Sequence, residues 1–175
     1  MNFLETKLPG VFEISLDLKY DERGFFARSW CQHEFEQHGL TSQIVQCSVA
    51  FNQSKGTLRG VHYQAAPHLE GKLVRCTQGS IYDVVVDLRP ASPTFKQWIG
   101  VVLSAANRRM VYIPGGLGHG LMTLEDQTEV SYQMSEFYYP ELSRGVRWND
   151  SAFQIEWPAA PVLMSERDRT YPDFA

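Results

Sequence analysis

Long apolar runs are missing from these 175 residues. No stretch approaches the roughly 20 apolar residues that a membrane-crossing helix requires. The opening MNFLETKLPG lacks the basic-then-apolar order of a secretory leader. These absences argue against helical membrane insertion and export, so the expectation is a cytoplasmic protein with no membrane partner. Cysteine is scarce: Cys31, Cys47 and Cys76 are an odd number with no CxxC spacing. That disfavours both a disulfide framework and a thiolate metal site, and suits free thiols in a reducing compartment. A basic surplus is also missing, with 16 Lys and Arg against 20 Asp and Glu, a net charge of −4. A general nucleic-acid binder is thereby disfavoured, although a local basic pocket for a phosphate is not. Neither an internal repeat nor a low-complexity linker interrupts the chain.

Hydrophobic residues make up 43% and charged residues 21%, the balance of an ordinary globular protein. The length suits one domain over residues 1–175. Aromatics reach 13%, which suits a β-rich fold or a pocket that stacks on rings. Pro9-Gly10 opens the partly alternating VFEISLDLKY, a turn is expected at 21–24, and Phe25-Phe26 begin another extended stretch. Residues 33–38 are the best helix candidate, with Gly39 placed to end it. Strands are expected at 42–51, 56–64, 72–77, 98–103, 110–113 and 128–134. SIYDVVVDLR alternates, with Tyr82, Val84, Val86 and Leu88 on one face and Ile81, Asp83, Val85 and Asp87 on the other. A short helix is expected before Pro172. Many short strands separated by turns read as an all-β sandwich or barrel with a pocket between its layers.

Two segments carry chemistry. In KGTLRGVHYQAAPHLEGKLVR, Arg59, His62, Lys72 and Arg75 lie on two expected strands. Arg59 and His62 are three apart, so a regular strand separates them onto opposite faces, whereas a bulge near Gly60 unites them. A surface cluster of basic residues is the competing reading. VYIPGGLGHGLMTL is a strand, a turn and a return strand carrying His119, which also reads as a hydrogen-bonded core histidine.

Together these segments resemble the two half-motifs of cupins. Cupins usually place His-x-His and a downstream Glu around a metal, whereas here the order is His62-Tyr63-Gln64, with Lys72 near where the Glu would sit. A divalent cation needs converging imidazoles and carboxylates, and an ammonium among them repels it. No metal is therefore expected. A histidine base beside a fixed cation is suited to removing a proton next to a carbonyl and stabilising the enolate. Inversion then needs an acid on the opposite face, and Tyr132 is a candidate. Asp168 is a candidate partner to orient His62, or an ion-pair partner of Arg167 or Arg169. Asp83 and Asp87 either line the pocket or pair with Arg75 and Arg89. Trp98, Trp148 and Trp157 read as core or interface anchors rather than ligand contacts.

DERGFF (21–26), KGTLRGVHYQ (55–64), GKLVRCTQGSIYDVVVDLR (71–89), SPTFKQWIGVVLS (92–104), IPGGLGHG (113–120), WND (148–150) and LMSERD (163–168) occur in one order over almost the whole chain. In this the sequence resembles the dTDP-4-dehydrorhamnose 3,5-epimerase family. The resemblance implies an all-β, cupin-type jelly roll with a few short peripheral helices, acting as a homodimer without metal or organic cofactor. It implies epimerisation at C3 and C5 of a nucleotide-diphosphate 4-keto-6-deoxyhexose. By the same likeness His62 is the base, Asp168 its partner, Tyr132 the acid and Lys72 the cation at the enolate oxygen. Arg59 and Arg23 bind the diphosphate. Phe26, reaching in from the neighbouring subunit, stacks near the nucleotide base. Gln46, His119 and Tyr138 complete the pocket.

Arg28 stands where the family commonly has an acidic residue beside that base, exchanging an acceptor for a donor. This motivates an alternative, a 3- or 5-mono-epimerase acting on a CDP-, GDP- or UDP-linked sugar. A non-catalytic nucleotide-sugar-binding cupin is the alternative of another class.

Overall fold

The computed structural model describes residues 1–174. Its strands are β1 (Asn2–Glu5), β2 (Phe12–Ser15), β3 (Lys19–Asp21), β4 (Gly24–Phe26), β5 (Gln46–Asn52), β6 (Leu58–Gln64), β7 (Lys72–Gln78), β8 (Ser80–Asp87), β9 (Trp98–Ser104), β10 (Met110–Ile113), β11 (Leu117–Thr123), β12 (Thr128–Met134) and β13 (Ser143–Gly145). The helices are α1 (Gln32–Gln37) and α2 (Glu166–Arg169), with a 3-10 turn at Pro140–Leu142. Six strands form one sheet in the order β1-β2-β10-β7-β12-β5, and five form a second in the order β13-β6-β11-β8-β9. β3 and β4 make a separate ribbon. The expected all-β jelly roll with short peripheral helices is the fold observed.

Alternation along the strands explains the layering. Val74, Cys76, Val111, Ile113 and Val130 of the first sheet meet Ile81, Val85, Val101, Leu103, Leu117 and Leu121 of the second in one buried cluster. This is the space between the sheets. The opposite faces are covered rather than left wet. Ile14, Leu73, Met110 and Tyr112 lie under Phe35 of α1 and Leu40. Val61, Val84, Val86 and Leu88 lie under Val146 and Phe153 of the C-terminal segment. β8 is therefore buried on both faces. The expected division of its residues holds: Ile81 and Val85 pack between the sheets, and Val84, Val86 and Leu88 pack under the tail. Trp157 and Trp148 help anchor that tail, packing against Leu58, Met122 and Met164. Trp98 belongs to the cluster under Phe153, so all three tryptophans are packing residues.

Two edges differ from the sequence reading. β1 had no clear signal; it is an edge strand whose four residues are mostly exposed. β5 starts at Gln46 rather than at residue 42. Ahead of it, Val45 still donates to the Met134 carbonyl, but residues 41–45 form no strand.

Candidate active site

The pairing of β6 with β11 sets the position of the base. His119 pairs with His62 and Leu121 with Arg59, so three steps on β6 match two on β11. One extra residue is accommodated at Gly60, where φ is +109°. The bulge reverses the alternation. Leu58 and Val61 both pack outward under the tail, which turns Arg59 and His62 to the same inner side. Both line a cavity of about 460 Å³ together with Met164, Ser165, Arg167 and Asp168. His62 also lines an adjoining cavity of about 290 Å³ with Gln64, Glu70, Lys72, Tyr138, Ser143 and Arg167. Sharing His62 and Arg167, the two cavities form one cleft.

Asp168 is brought to His62 by α2. Ser165 caps this short helix, its hydroxyl accepting from the Asp168 amide. The Asp168 carboxylate is 5% exposed and lies 2.6 Å from His62 Nε2. Its second oxygen accepts from the Gly60 amide at 3.2 Å. Burial pushes the Asp168 carboxyl up, but the hydrogen bonds from His62, the Gly60 amide and Ser165 oppose it, and the group is held below its ordinary value. An ionised carboxylate can only accept, so Nε2 carries the proton and donates. Nδ1 then keeps its lone pair and is the basic nitrogen.

Tyr132 stands on β12 of the other sheet, packed against the core between the sheets. Its ring lies 6.0 Å from that of His119. Burial, reinforced by the Asp83 charge and only partly offset by Arg59, raises its phenol well above the usual value. The hydroxyl therefore stays protonated, as an acid requires. His119 is buried, and its Nε2 lies 2.7 Å from Asp83 Oδ1. It backs the cleft rather than lining it. Asp83 thus meets His119 and not Arg75, while Asp87 pairs with Arg89 and accepts from Ser92 and Thr94.

Arg59 is anchored at the cleft by bonds from Nε to Asn52 and from Nη2 to the Phe51 carbonyl. Gln46 accepts from the Tyr138 amide and so fixes the segment that carries Tyr138 into the cleft. Gln64 uses its whole amide on backbone: it donates to the His68 and Phe137 carbonyls and accepts from the Tyr139 amide. Among the described residues no three His, Cys, Asp or Glu side chains converge on a metal position.

Arg23, Phe26 and Arg28 are exposed and lie on or beside the β3–β4 ribbon. None of them lines the cleft of its own chain. Arg23 instead pairs with Asp21. Glu70, Ser143 and Arg167 are among the lining residues that sequence reasoning missed. Arg167 precedes Asp168 on α2 and donates to the Ser143 hydroxyl and carbonyl. Glu70 lies two positions before Lys72, the spacing that puts both on one side of an extended chain. Its oxygen is 2.8 Å from Lys72 Nζ.

Comparison with known proteins identifies the family. The family model described as dTDP-4-dehydrorhamnose 3,5-epimerase matches residues 5–175. The dTDP-4-dehydrorhamnose 3,5-epimerase of Pseudomonas aeruginosa is 45% identical, over all of this chain and 97% of its own. That of Shigella flexneri is 43% identical over 96% of this chain and 93% of its own. The crystal structure of the Bacillus anthracis enzyme with TDP and PPi bound superposes with a TM-score of 0.95 at 40% identity, covering 99% of both chains. The chain belongs to the dTDP-4-dehydrorhamnose 3,5-epimerase family.

Proposed function

We propose that this chain converts dTDP-4-dehydro-6-deoxyglucose to dTDP-4-dehydrorhamnose by inverting C3 and C5. The observation that carries the reading is the His62–Asp168 hydrogen bond of 2.6 Å at a cleft that also holds Lys72. The 4-keto group acidifies the protons on both neighbouring carbons. His62 Nδ1 takes one of them, and the electron pair moves onto the carbonyl oxygen. Lys72 stabilises the enolate oxygen. Tyr132, from the opposite sheet, returns a proton to the other face. His62 has then gained a proton and Tyr132 lost one, and exchange with solvent resets both. No electrons are gained or lost, so the step calls for no cofactor.

Arg59 holds the diphosphate. The relative from B. anthracis binds TDP, which supports dTDP as the carrier over CDP, GDP or UDP. Arg23, Phe26 and Arg28 act from a second copy of the chain. Tyr20 and Phe26 on the ribbon are 72% and 74% exposed, and Val49 and Phe51 on the edge strand β5 are 64% and 53% exposed. Such apolar exposure on a free edge suits a homodimer. One domain carries each site, and three free thiols suit the cytoplasm.

Incubation with dTDP-4-dehydro-6-deoxyglucose in heavy water tests the reaction. Deuterium is expected at both C3 and C5 of the product, and exchange at one carbon alone overturns the double inversion. Light scattering is expected to return twice the chain mass, and a monomer overturns the shared site.

A further inference from the structure

Lys72 is not a free cation. Its ammonium is 2.8 Å from Glu70 Oε1, and the two side chains are only 13% and 11% exposed. The backbone sets this pair in place. Gly71, between them, donates its amide to the Ser135 hydroxyl and accepts from the Ser135 amide. Lys72, Val74 and Cys76 continue one inward row along β7, the latter two in the core between the sheets, and Glu70 begins the same row. Upstream, Gln64 holds the His68 carbonyl, and His68 bonds Glu136. The loop carrying Glu70 is thus tied down on both sides.

Glu70 is the one carboxylate among the described residues lining the Lys72 side of the cleft. The other ionisable groups there are His62 and Tyr63 from β6, Tyr138 from the segment after β12, and Arg167 from α2. A lysine stem is flexible and loses considerable rotamer freedom when held in one place. An enolate oxygen is stabilised best by a donor already aimed at it. Nζ has three donors, so one fixed on Glu70 leaves two for the substrate.

We propose that Glu70 is a positioning residue for the epimerisation: its carboxylate holds the Lys72 ammonium where the enolate oxygen forms. This rests on Lys72 being the cation that steadies the enolate. The contribution is felt in the transition state, so it falls on kcat and not on KM.

Steady-state kinetics of the full-length protein, with deuterium uptake at C3 and C5, test this. Glu70→Ala is expected to lower kcat about tenfold by loosening the cation, with KM within about twofold. Glu70→Gln keeps an acceptor at the same reach and should restore most of the lost kcat. Glu70→Asp keeps the charge but withdraws the oxygens by one methylene. It should lose kcat at unchanged KM, and it serves in place of the alanine variant if that variant does not fold. Alanine and aspartate variants with kcat within twofold of the parent overturn the proposal, as does a loss carried by KM. Lys72→Met separates the two readings. If it turns over like the parent, the role of Lys72 itself falls. If it is slow while the Glu70 variants are not, only the role of Glu70 falls.

Discussion

His62 and Asp168 are separated by 106 positions, yet Nε2 and Oδ1 lie 2.6 Å apart. Asp168 also accepts from the Gly60 amide. One carboxylate therefore fixes both the tautomer of the base and the bulge that turns the base inward. The C-terminal segment, which covers the outer face of the five-stranded sheet, also delivers this carboxylate to the bulge. Packing and chemistry share one piece of chain.

Asp168→Asn is expected to abolish most activity while the protein stays folded. An amide at this position can donate to Nε2, which moves the ring proton to Nδ1 and removes the basic lone pair from the cleft. A loss of roughly 100- to 10,000-fold in kcat, with little change in KM, follows from losing the base. Kinetics alongside a thermal melt check this. A variant within tenfold of the parent would show that Asp168 does not set the tautomer.

Tyr132→Phe separates proton removal from inversion. His62 remains able to take and return a proton on its own face. Deuterium uptake into substrate is therefore expected to survive while product with the inverted configuration disappears. Proton magnetic resonance of the sugar in heavy water distinguishes the two. Because burial holds the phenol above its ordinary value near 10, Tyr132 remains an acid throughout the neutral and moderately alkaline range. The parent should not lose activity through this group as pH rises to about 10.

Gly60→Ala tests the bulge. A Cβ there would sit 2.6 Å from the His119 carbonyl oxygen and 2.8 Å from Gly120 Cα, both backbone atoms, at a φ of +109°. The backbone conformation alone costs roughly 1–3 kcal/mol, and the clash adds to it. Relief requires β6 to shift against β11, which displaces His62 and Arg59. Lower melting temperature and lost turnover are expected together. Parent-like values for both would mean that the bulge does not set the site.

Much of the fold was legible because its strands are framed by clear turns. The bounds of β10 and β12 agree with expectation to the residue, since a short continuous apolar run marks the first and apolar alternation the second. β1 was not legible, as an edge strand pinned by backbone pairing to β2 needs no apolar pattern. The inward pair Arg59 and His62 was open in the sequence, because a three-residue spacing favours opposite faces and only the pairing with β11 reveals the extra residue. His119 shows how two readings can merge: it is a hydrogen-bonded core histidine, and it also stands behind Tyr132. Ser143 and Arg167 carried no local signal. Their meeting depends on β13 pairing with β6 and on α2 returning to it, contacts that no short window of sequence contains.

Acid should unfold the protein through its buried carboxylates. Asp87 is fully buried. Burial pushes its carboxyl up, but hydrogen bonds from Arg89, Ser92 and Thr94 more than reverse this and hold it far below the usual range. Asp168 is held down in the same sense. For a group whose folded value is depressed, the stabilisation is complete above its unfolded value, about 3.9 for Asp, and is lost as pH falls through the folded one. The melting temperature is therefore expected to be insensitive to these groups near neutrality and to fall progressively below about pH 4. Asp87→Ala leaves Arg89 without its carboxylate and should cost about 3 kcal/mol at neutral pH. It should also flatten the acid limb, because the group that must be protonated is gone. Melts of parent and variant between about pH 2 and 7 read both effects, and a variant whose acid limb is as steep as the parent's would remove Asp87 as its cause.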